Sequence, residues 1–385
     1  MKILHFIHAF IPIYGGTTTR MINLFTNDGN EHVIIAPNIG SQYVPQNITQ
    51  LNSSDTYENI TIHRVPLSNF KTDRIPFSEY ISRIIHFRRN SLELLKGVNT
   101  EDFDLVYGHF SPMEFAFAAY QYSRDNSIPL FIEIHALFKD TLFWSRNPLK
   151  KIYNSIGNAI LLRMEKNILN HASRIIVQTK SMGRRLKEEY GFGDKKINVV
   201  YNGVDIDKFS AGKYREQSFL LEKTHKTRGK CVLSYIGFLD NNNGINFFLQ
   251  SLESLPESVK SNIKVFLIGR GPYSKLVEDF SARNDFLEYL GMVDYNEIPQ
   301  YYSITDIFVI ARPSNLATEN FIPMKLLEAM AMEKIVLVSN VGGMTEVVSH
   351  MKNGIVFKAN DIDDFNKKLT DAVFSIDTYK QLGAQ

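Results

Sequence analysis

Apolar positions along the chain gather into short uninterrupted runs, and between the runs they recur at helical spacing. The runs predict strands over residues 3–7, 31–36, 105–107, 130–134, 174–178 and 197–200. A second set follows over 231–236, 264–268, 286–290, 307–310, 335–339 and 354–357. Helical spacing predicts helices over 18–26, 78–96, 114–126 and 150–170, with helices again between the strands of the second set. Strands alternating with helices form parallel sheets covered on both faces. Two such sets predict two doubly wound α/β domains, 1–205 and 231–385, with 206–230 as the linker. Residues 211–230, AGKYREQSFLLEKTHKTRGK, are polar and charged with a glycine near each end. In α/β proteins of this kind a ligand usually sits at the carboxyl ends of the strands, between the domains.

One predicted helix is unusual. In NFIPMKLLEAMA, residues 320–331, apolar residues recur at Met324, Leu327, Met330 and Ala331. Pro323 suits the first helical position, where a missing N–H costs nothing. The amides that follow lack partners inside the helix, so the opening turn is a natural anion site. Lys325 adds a charge there, and Glu328 lies one turn on along nearly the same face. A buried helix with a surface Lys–Glu pair explains the same letters.

Composition narrows the class. The chain has 385 residues, 44% hydrophobic and 22% charged, an ordinary globular balance. A net charge of +2 argues against a dedicated nucleic-acid binder. A single cysteine, Cys231, forms no internal disulfide and fits a reducing, cytoplasmic compartment. No run approaches the length of a transmembrane helix. His5 and His8 interrupt the apolar start, so it reads as a buried first strand rather than a signal peptide.

The strand ends carry the candidate chemistry. Gly15 and Gly16 after the first strand allow a backbone to approach a ligand, or simply make the turn into a helix. His109 and His135 follow two strands of the first set, where a histidine orients a hydroxyl, takes its proton or serves structure alone. In the second set Gly237, then Gly269 with Arg270 and Gly271, then the 311–323 turn and Gly342–Gly343 fall on one sheet edge and suggest a diphosphate cradle. The dinucleotide fingerprint, the Walker loop and the G-x-S-x-G elbow are absent, and no Cys/His cluster has zinc spacing. Asp205–Ile206–Asp207 matches the D-x-D of metal-dependent sugar transferases, but a turn explains it as well.

These pieces together resemble the retaining glycosyltransferases of family 4. The resemblance rests on YGG near the start, FDLVYGHF, IPLFIEIHALF, VVYNGVDIDKF, FLIGRGP, YLGMVDYNEIPQYYSITDIFV, KLLEAMAMEKIVLVSNVGGMTEVV and NGIVF, in order over nearly the whole chain. It implies a GT-B fold, two Rossmann-like domains facing across a cleft, the first binding the acceptor and the second the nucleotide sugar. It implies transfer with retention, no metal and no cofactor beyond a nucleotide-sugar co-substrate, UDP- or GDP-linked. By the same resemblance Glu328 bonds the ribose, the amides of Met324 and Lys325 meet the diphosphate, and Asn320, Phe321 and Ile322 line the donor sugar. His109 lies near the transferred sugar, Gly16 closes over the diphosphate, and Met292 and Val293 contact the base through their backbone.

The chain departs from the family in three ways. Phe238 and Asn243 stand where the family has an arginine and a lysine. Asn320 stands eight residues before Glu328 where a glutamate is usual, with Glu319 one residue early. A P-x-K-x-x-E variant, PMKLLE here, resembles one branch of the family, in which Lys325 and Arg270 restore the missing charge. The sequence also stops at TYKQLGAQ, about where the family's closing crossover helix begins. A catalytically silent sugar-nucleotide-binding subunit and a GT-B nucleotide-sugar epimerase remain alternatives.

Two basic-aromatic stretches, RIIHFRRN (83–90) and FKDTLFWSRNPLKKIY (138–153), suit an anionic membrane surface. A solvated helix face with its aromatics turned inward explains them equally. The membrane reading places the protein at the inner face of a membrane, with a saccharide or lipid-linked acceptor, in surface polysaccharide or glycolipid assembly.

Overall fold

The computed structural model describes residues 1–12, 15–26, 28–38, 52–66, 76–97, 103–110, 112–143, 147–316 and 318–383. It divides into two compact units, Met1–Tyr201 and Asn202–Gln385.

The first unit contains strands β1 (Lys2–Phe6), β2 (Glu31–Asn38), β3 (Ser54–Tyr57), β4 (Ile60–Pro66), β5 (Leu105–Phe110), β6 (Leu130–Ile134), β7 (Arg174–Val177) and β8 (Ile197–Val199). Its helices are α1 (Gly16–Phe25), α2 (Phe77–Leu95), α3 (Met113–Asn126), α4 (Pro148–His171) and α5 (Lys180–Tyr190). The sheet order is β3-β4-β2-β1-β5-β6-β7-β8, parallel except for the β3–β4 hairpin. That hairpin lies outside the expected strands. Its polar SDTY strand and alternating partner ITIHRVP make no apolar run. One sheet face packs Leu4, Phe6, Val106 and Ile132 into the main core. The other face, with α1, holds smaller apolar clusters around Ile34 and Tyr107, and between them a belt of polar side chains.

The second unit contains β9 (Cys231–Ile236), β10 (Ile263–Ile268), β11 (Leu287–Gly291), β12 (Ile307–Ile310), β13 (Ile335–Ser339) and β14 (Ile355–Phe357). Its helices are α6 (Arg215–Thr224), α7 (Ile245–Glu253), α8 (Glu257–Lys260), α9 (Ser274–Ser281) and α10 (Ile298–Ser303), then α11 (Met324–Ala331), α12 (Gly342–Thr345), α13 (Ile362–Phe374) and α14 (Ile376–Gly383). All strands are parallel, in the order β11-β10-β9-β12-β13-β14. Numbered from its own first strand this is 3-2-1-4-5-6, the order of nucleotide-binding α/β folds, whose ligand crevice opens where the order reverses. Here that point lies between the ends of β9 and β12. Its four inner strands, β10, β9, β12 and β13, are buried on both faces, as an all-parallel sheet requires.

The division falls at Tyr201/Asn202, and residues 206–230, expected as a linker, are part of the second unit. Phe209 is buried against Tyr295 and Tyr302, and α6 is tied to α10 by the Ser218–Ser303 hydroxyl bond of 2.7 Å. No helix among the described residues is long and apolar enough to cross a membrane.

Candidate functional site

The first unit reverses its strand order between β1 and β5, and there the polar belt sits. His109 lies within β5, which runs on to Phe110, rather than after the strand. Its ring stacks on His135, just past β6, with His109 Nδ1 and His135 Nε2 3.2 Å apart. Gln178, just past β7, donates its amide to His135 Nδ1 at 2.8 Å and faces Glu133 Oε1 at 3.4 Å. The Glu133 carboxylate needs donors, which orients that amide. His135 Nδ1 is then an acceptor, so His135 Nε2 carries the proton and donates to His109 Nδ1. The proton of His109 is thereby left on Nε2, which is buried and has no partner among the described residues. Burial lowers the His109 pKa to about 3, with Glu133 opposing and His135 and His8 adding to the fall. His109 is therefore a neutral hydrogen-bond donor at working pH, and not a base.

Glu133 anchors this group. Arg20 of α1 reaches its Oε1 at 2.5 Å, and Tyr107 donates to its Oε2 at 2.7 Å. Burial works against the Glu133 carboxylate, but His135 and Arg20 more than offset it and hold its pKa at about 2. The remaining guanidinium nitrogens of Arg20 donate to the carbonyls of Val200 and Tyr201, each at 2.8 Å. The belt continues through His5 to His32 (2.9 Å) and from His32 to Asp28 (3.0 Å). His109, Glu133 and His135 bring donor atoms within 4.8 Å of one another, a spacing open to a cation. Both Glu133 oxygens are already acceptors, however, and the adjoining guanidinium opposes a second positive charge. At the opening of α1, Gly15 is the N-cap, without a side-chain cap, and a Cβ on it would meet nothing within 4 Å. Gly16 is the first helical residue.

In the second unit the candidate residues cluster where β9 and β12 end. Pro323 is extended and precedes the helix rather than opening it, so α11 begins at Met324. No side chain caps it, and Leu326 is the residue whose amide reaches back to the Pro323 carbonyl, at 3.0 Å. The amides of Met324 and Lys325 precede that bond, as a helix start requires. The buried stripe of the helix is Leu326, Ala329 and Met332, while Leu327 and Met330 are half-buried. Glu328 is buried and accepts from Tyr295 at 3.0 Å and Tyr302 at 3.2 Å, so it faces α10 rather than pairing with Lys325 on the surface. Burial raises its pKa.

The Lys325 ammonium lies beside Gly237, where a Cβ would stand 2.9 Å from Nζ. It sits 4.8 Å above the Tyr235 ring and 3.5 Å from Asn243 Oδ1. Arg312, just past β12, donates to the same oxygen at 3.2 Å and stacks on Phe321 at 5.0 Å. Asp240 accepts Asn243 Nδ2 at 2.7 Å, which turns Oδ1 toward the two cations. Arg312 Nε is buried with no partner among the described residues. Burial, then Arg312, lowers the Lys325 pKa to about 7, and burial lowers that of Arg312 to about 10. The residue joining Lys325 at Asn243 is thus Arg312. Arg270 is in the neighbouring turn, where its carbonyl accepts from the Leu239 amide.

The other expected residues are placed as follows. The Ile322 side chain is in the core, and its carbonyl accepts from Asn202 at 2.6 Å, so it lines no open space. Asn320 is half-buried in the loop before α11. Glu319 is a cap: its carboxylate accepts the Gly342 amide at 2.7 Å and its carbonyl the Gly343 amide at 2.7 Å. Met292 is exposed and Val293 half-buried after β11. Asp205 accepts the amides of Asp207 and Lys208, so the D-x-D is a turn. Arg312, Gln178, Glu133 and Arg20 were missed by the sequence reading. An acid inside the apolar run LFIEI was the one available sign of Glu133.

Comparison with known proteins decides the family. A profile described as Glycosyltransferase Family 4 matches residues 16–208, and one described as Glycosyl transferases group 1 matches 216–385. The chain belongs to glycosyltransferase family 4. The D-inositol 3-phosphate glycosyltransferase of Nocardiopsis dassonvillei is 25% identical over 70% of this chain, and the match spans 62% of that relative, under two thirds of its length. The alpha-monoglucosyldiacylglycerol synthase of Acholeplasma laidlawii is 22% identical over 94% of this chain and 86% of its own. The structure of Anabaena HepE in complex with UDP superposes with a TM-score of 0.68 at 15% identity, over 100% of this chain and 93% of the other. The family 4 chain accordingly has the GT-B fold, with a parallel sheet in each unit.

Proposed function

We propose that this glycosyltransferase moves a sugar from a nucleotide sugar to a saccharide or lipid-linked acceptor, with retention at the anomeric carbon and without a metal. It would work in the cytoplasm, at the inner face of a membrane, in polysaccharide or glycolipid assembly. The observation that carries the donor half is the convergence of Lys325 and Arg312 on Asn243 Oδ1, beside the open start of α11. Two cations sharing one neutral acceptor, beside the single carboxylate of Asp240, leave a surplus of positive charge at the strand-order reversal, which a diphosphate neutralises. The pair supplies the charge that Phe238 and Asn243 lack.

In the proposed reaction the acceptor hydroxyl attacks the anomeric carbon on the face from which the diphosphate departs. The α11 amides, Lys325 and Arg312 take up the charge developing on the leaving oxygen. Glu328 binds the ribose by exchanging its bond from the exposed-side Tyr295 for one from a sugar hydroxyl. His109 offers Nε2–H to a sugar hydroxyl and fixes its direction. Met292 and Val293 meet the base through their backbone.

A thermal-shift panel of UDP-, GDP-, ADP- and CMP-sugars, with and without Mg²⁺, tests this. HepE binds UDP, which makes the UDP-sugars the first to try. A ligand at a hundred times its Kd adds about 2.7 kcal/mol, several degrees in Tm. A shift with one base, unchanged by Mg²⁺, supports the reading. No shift with any base favours the silent-subunit alternative.

A further inference from the structure

In the two basic-aromatic stretches of the first unit, Phe87 is in the core, Phe138 is buried, and Phe143 packs on Phe77 and Tyr80. Those aromatics turn inward, and Trp144 and Arg146 lie outside the described residues. A feature that the proposed reaction leaves unused lies in the second unit. The loop after β9 reads DNNNG, residues 240–244, and Asn243 is the asparagine that meets the two cations. Asn241 instead lines a cavity of about 370 Å³, which neither Lys325 nor Arg312 lines. The cavity gathers four carboxamides from three segments: Asn241, then Asn246 and Gln250 one turn apart on α7, and Asn360 between β14 and α13. Phe247 and Pro313 supply apolar surface, and no charged side chain among the described residues lines it.

Asparagines elsewhere in this unit close on their own backbone. Asn262 donates to the Ser258 carbonyl at 2.8 Å, Asn284 to that of Phe280 at 2.9 Å and Asn353 to that of Val347 at 2.9 Å. The four carboxamides of the cavity have no side-chain hydrogen-bond partner among the described residues. Each offers both donors and an acceptor to whatever enters. Phe247 is half-buried, stacked on Phe357 with centroids 5.8 Å apart and edge-on to Phe365, so its ring is held in place.

This lining selects by chemistry. A charged ligand would be desolvated with no opposite charge to meet it. A wholly apolar one would cover the carboxamides and leave them unpaired. A molecule with hydroxyls at its rim and C–H groups on its faces satisfies both kinds of surface, and a sugar ring is such a molecule. The volume falls within the range of small-molecule sites, about 300–1,000 Å³. The place fits as well: Asn241 is two residues from Asn243, and Pro313 follows Arg312, so the cavity borders the donor edge.

We propose that this cavity binds an uncharged saccharide segment of the acceptor or product, beside the donor edge and apart from it. The proposal rests on the reading of a saccharide acceptor and adds the place where its non-reacting rings are held.

The test is saturation-transfer NMR on the full chain with glucose, galactose, mannose and N-acetylglucosamine, each added without nucleotide. At least one sugar gives a signal with the wild type. Asn246→Ala/Gln250→Ala weakens its affinity about tenfold, and Asn360→Gly about threefold. Asn360 has a φ of 62°, which glycine adopts freely, so the second variant removes a carboxamide and keeps the backbone. Both keep the wild-type thermal shift with nucleotide sugar, because none of these residues meets the donor edge, and Lys325→Ala leaves the saccharide signal unchanged. Silence from all four sugars overturns the proposal, and so does a signal undiminished in both cavity variants. A signal lost in Lys325→Ala and kept in the cavity variants also overturns it, by placing the sugar at the donor edge. Absence of a nucleotide-sugar shift in the wild type strikes the proposed reaction and leaves the saccharide signal standing.

Discussion

Glu133 in the first unit and Asn243 in the second both gather donors at the carboxyl edge of a parallel sheet. Around Glu133 the charges balance: one carboxylate, one guanidinium, then neutral Tyr107 and Gln178. Around Asn243 two cations share its amide oxygen, against one carboxylate, Asp240, on its amide nitrogen. The first arrangement is finished without a ligand and holds His109 in one protonation state. The second carries one cation more than its adjoining carboxylate, and burial, then Arg312, lowers the pKa of Lys325 although Asp240 and Glu328 oppose the fall. The two sheet edges thus differ in their charge balance, not in their topology.

The comparison breaks most directly at Glu133. Glu133→Ala leaves Arg20 buried without its partner and should cost about 3–5 kcal/mol in urea unfolding of the first unit. A loss below about 1 kcal/mol would mean that the belt is not an internally balanced unit. At the other edge, Lys325→Ala or Arg312→Ala should leave stability nearly unchanged and weaken binding of the cognate nucleotide sugar about ten- to a hundredfold by calorimetry. Unaltered affinity in both variants would remove the cradle.

A smaller effect is the pH dependence of donor affinity. Free Lys325 has a pKa of about 7, and a bound diphosphate raises it. Affinity is therefore full below pH 7 and falls as pH rises from there to the bound-state pKa, by at most about tenfold per unit. The slope should vanish in Lys325→Ala. His109, with a pKa of about 3, should add no limb to the profile of kcat in the same range. The smallest expected change is in Gln178→Ala. Freeing the His135 tautomer should lower kcat about fivefold with little change in donor KM, whereas a purely structural glutamine would move Tm and leave kcat alone.

The sheets and the opening of α11 were legible in the sequence because apolar runs and helix-start residues are local signals. The β3–β4 hairpin was not, since a half-exposed edge strand makes no run. The site residues that were missed share another cause. Arg20 meets Glu133 across 113 residues of sequence, and Arg312 meets Asn243 across 69. A charged side chain gives no local sign that it is buried, so its partner shows only once the sheet order is known. Asn243 reads in sequence as the loss of a cation. In the fold its oxygen faces two.

The backbone at this edge is closely packed. A Cβ at Gly244 would fall 1.7 Å from the Ala311 carbonyl oxygen, and one at Gly269 1.9 Å from that of Gly237. The loops after β9, β10 and β12 therefore lean on one another main chain to main chain, and none can gain bulk or shift alone. Chemical variation at this rim is confined to side chains that project from a fixed trace, such as Phe238, Asn243, Arg312 and Lys325. Substitutions at those positions change the charge and shape of the edge while its loops keep their course.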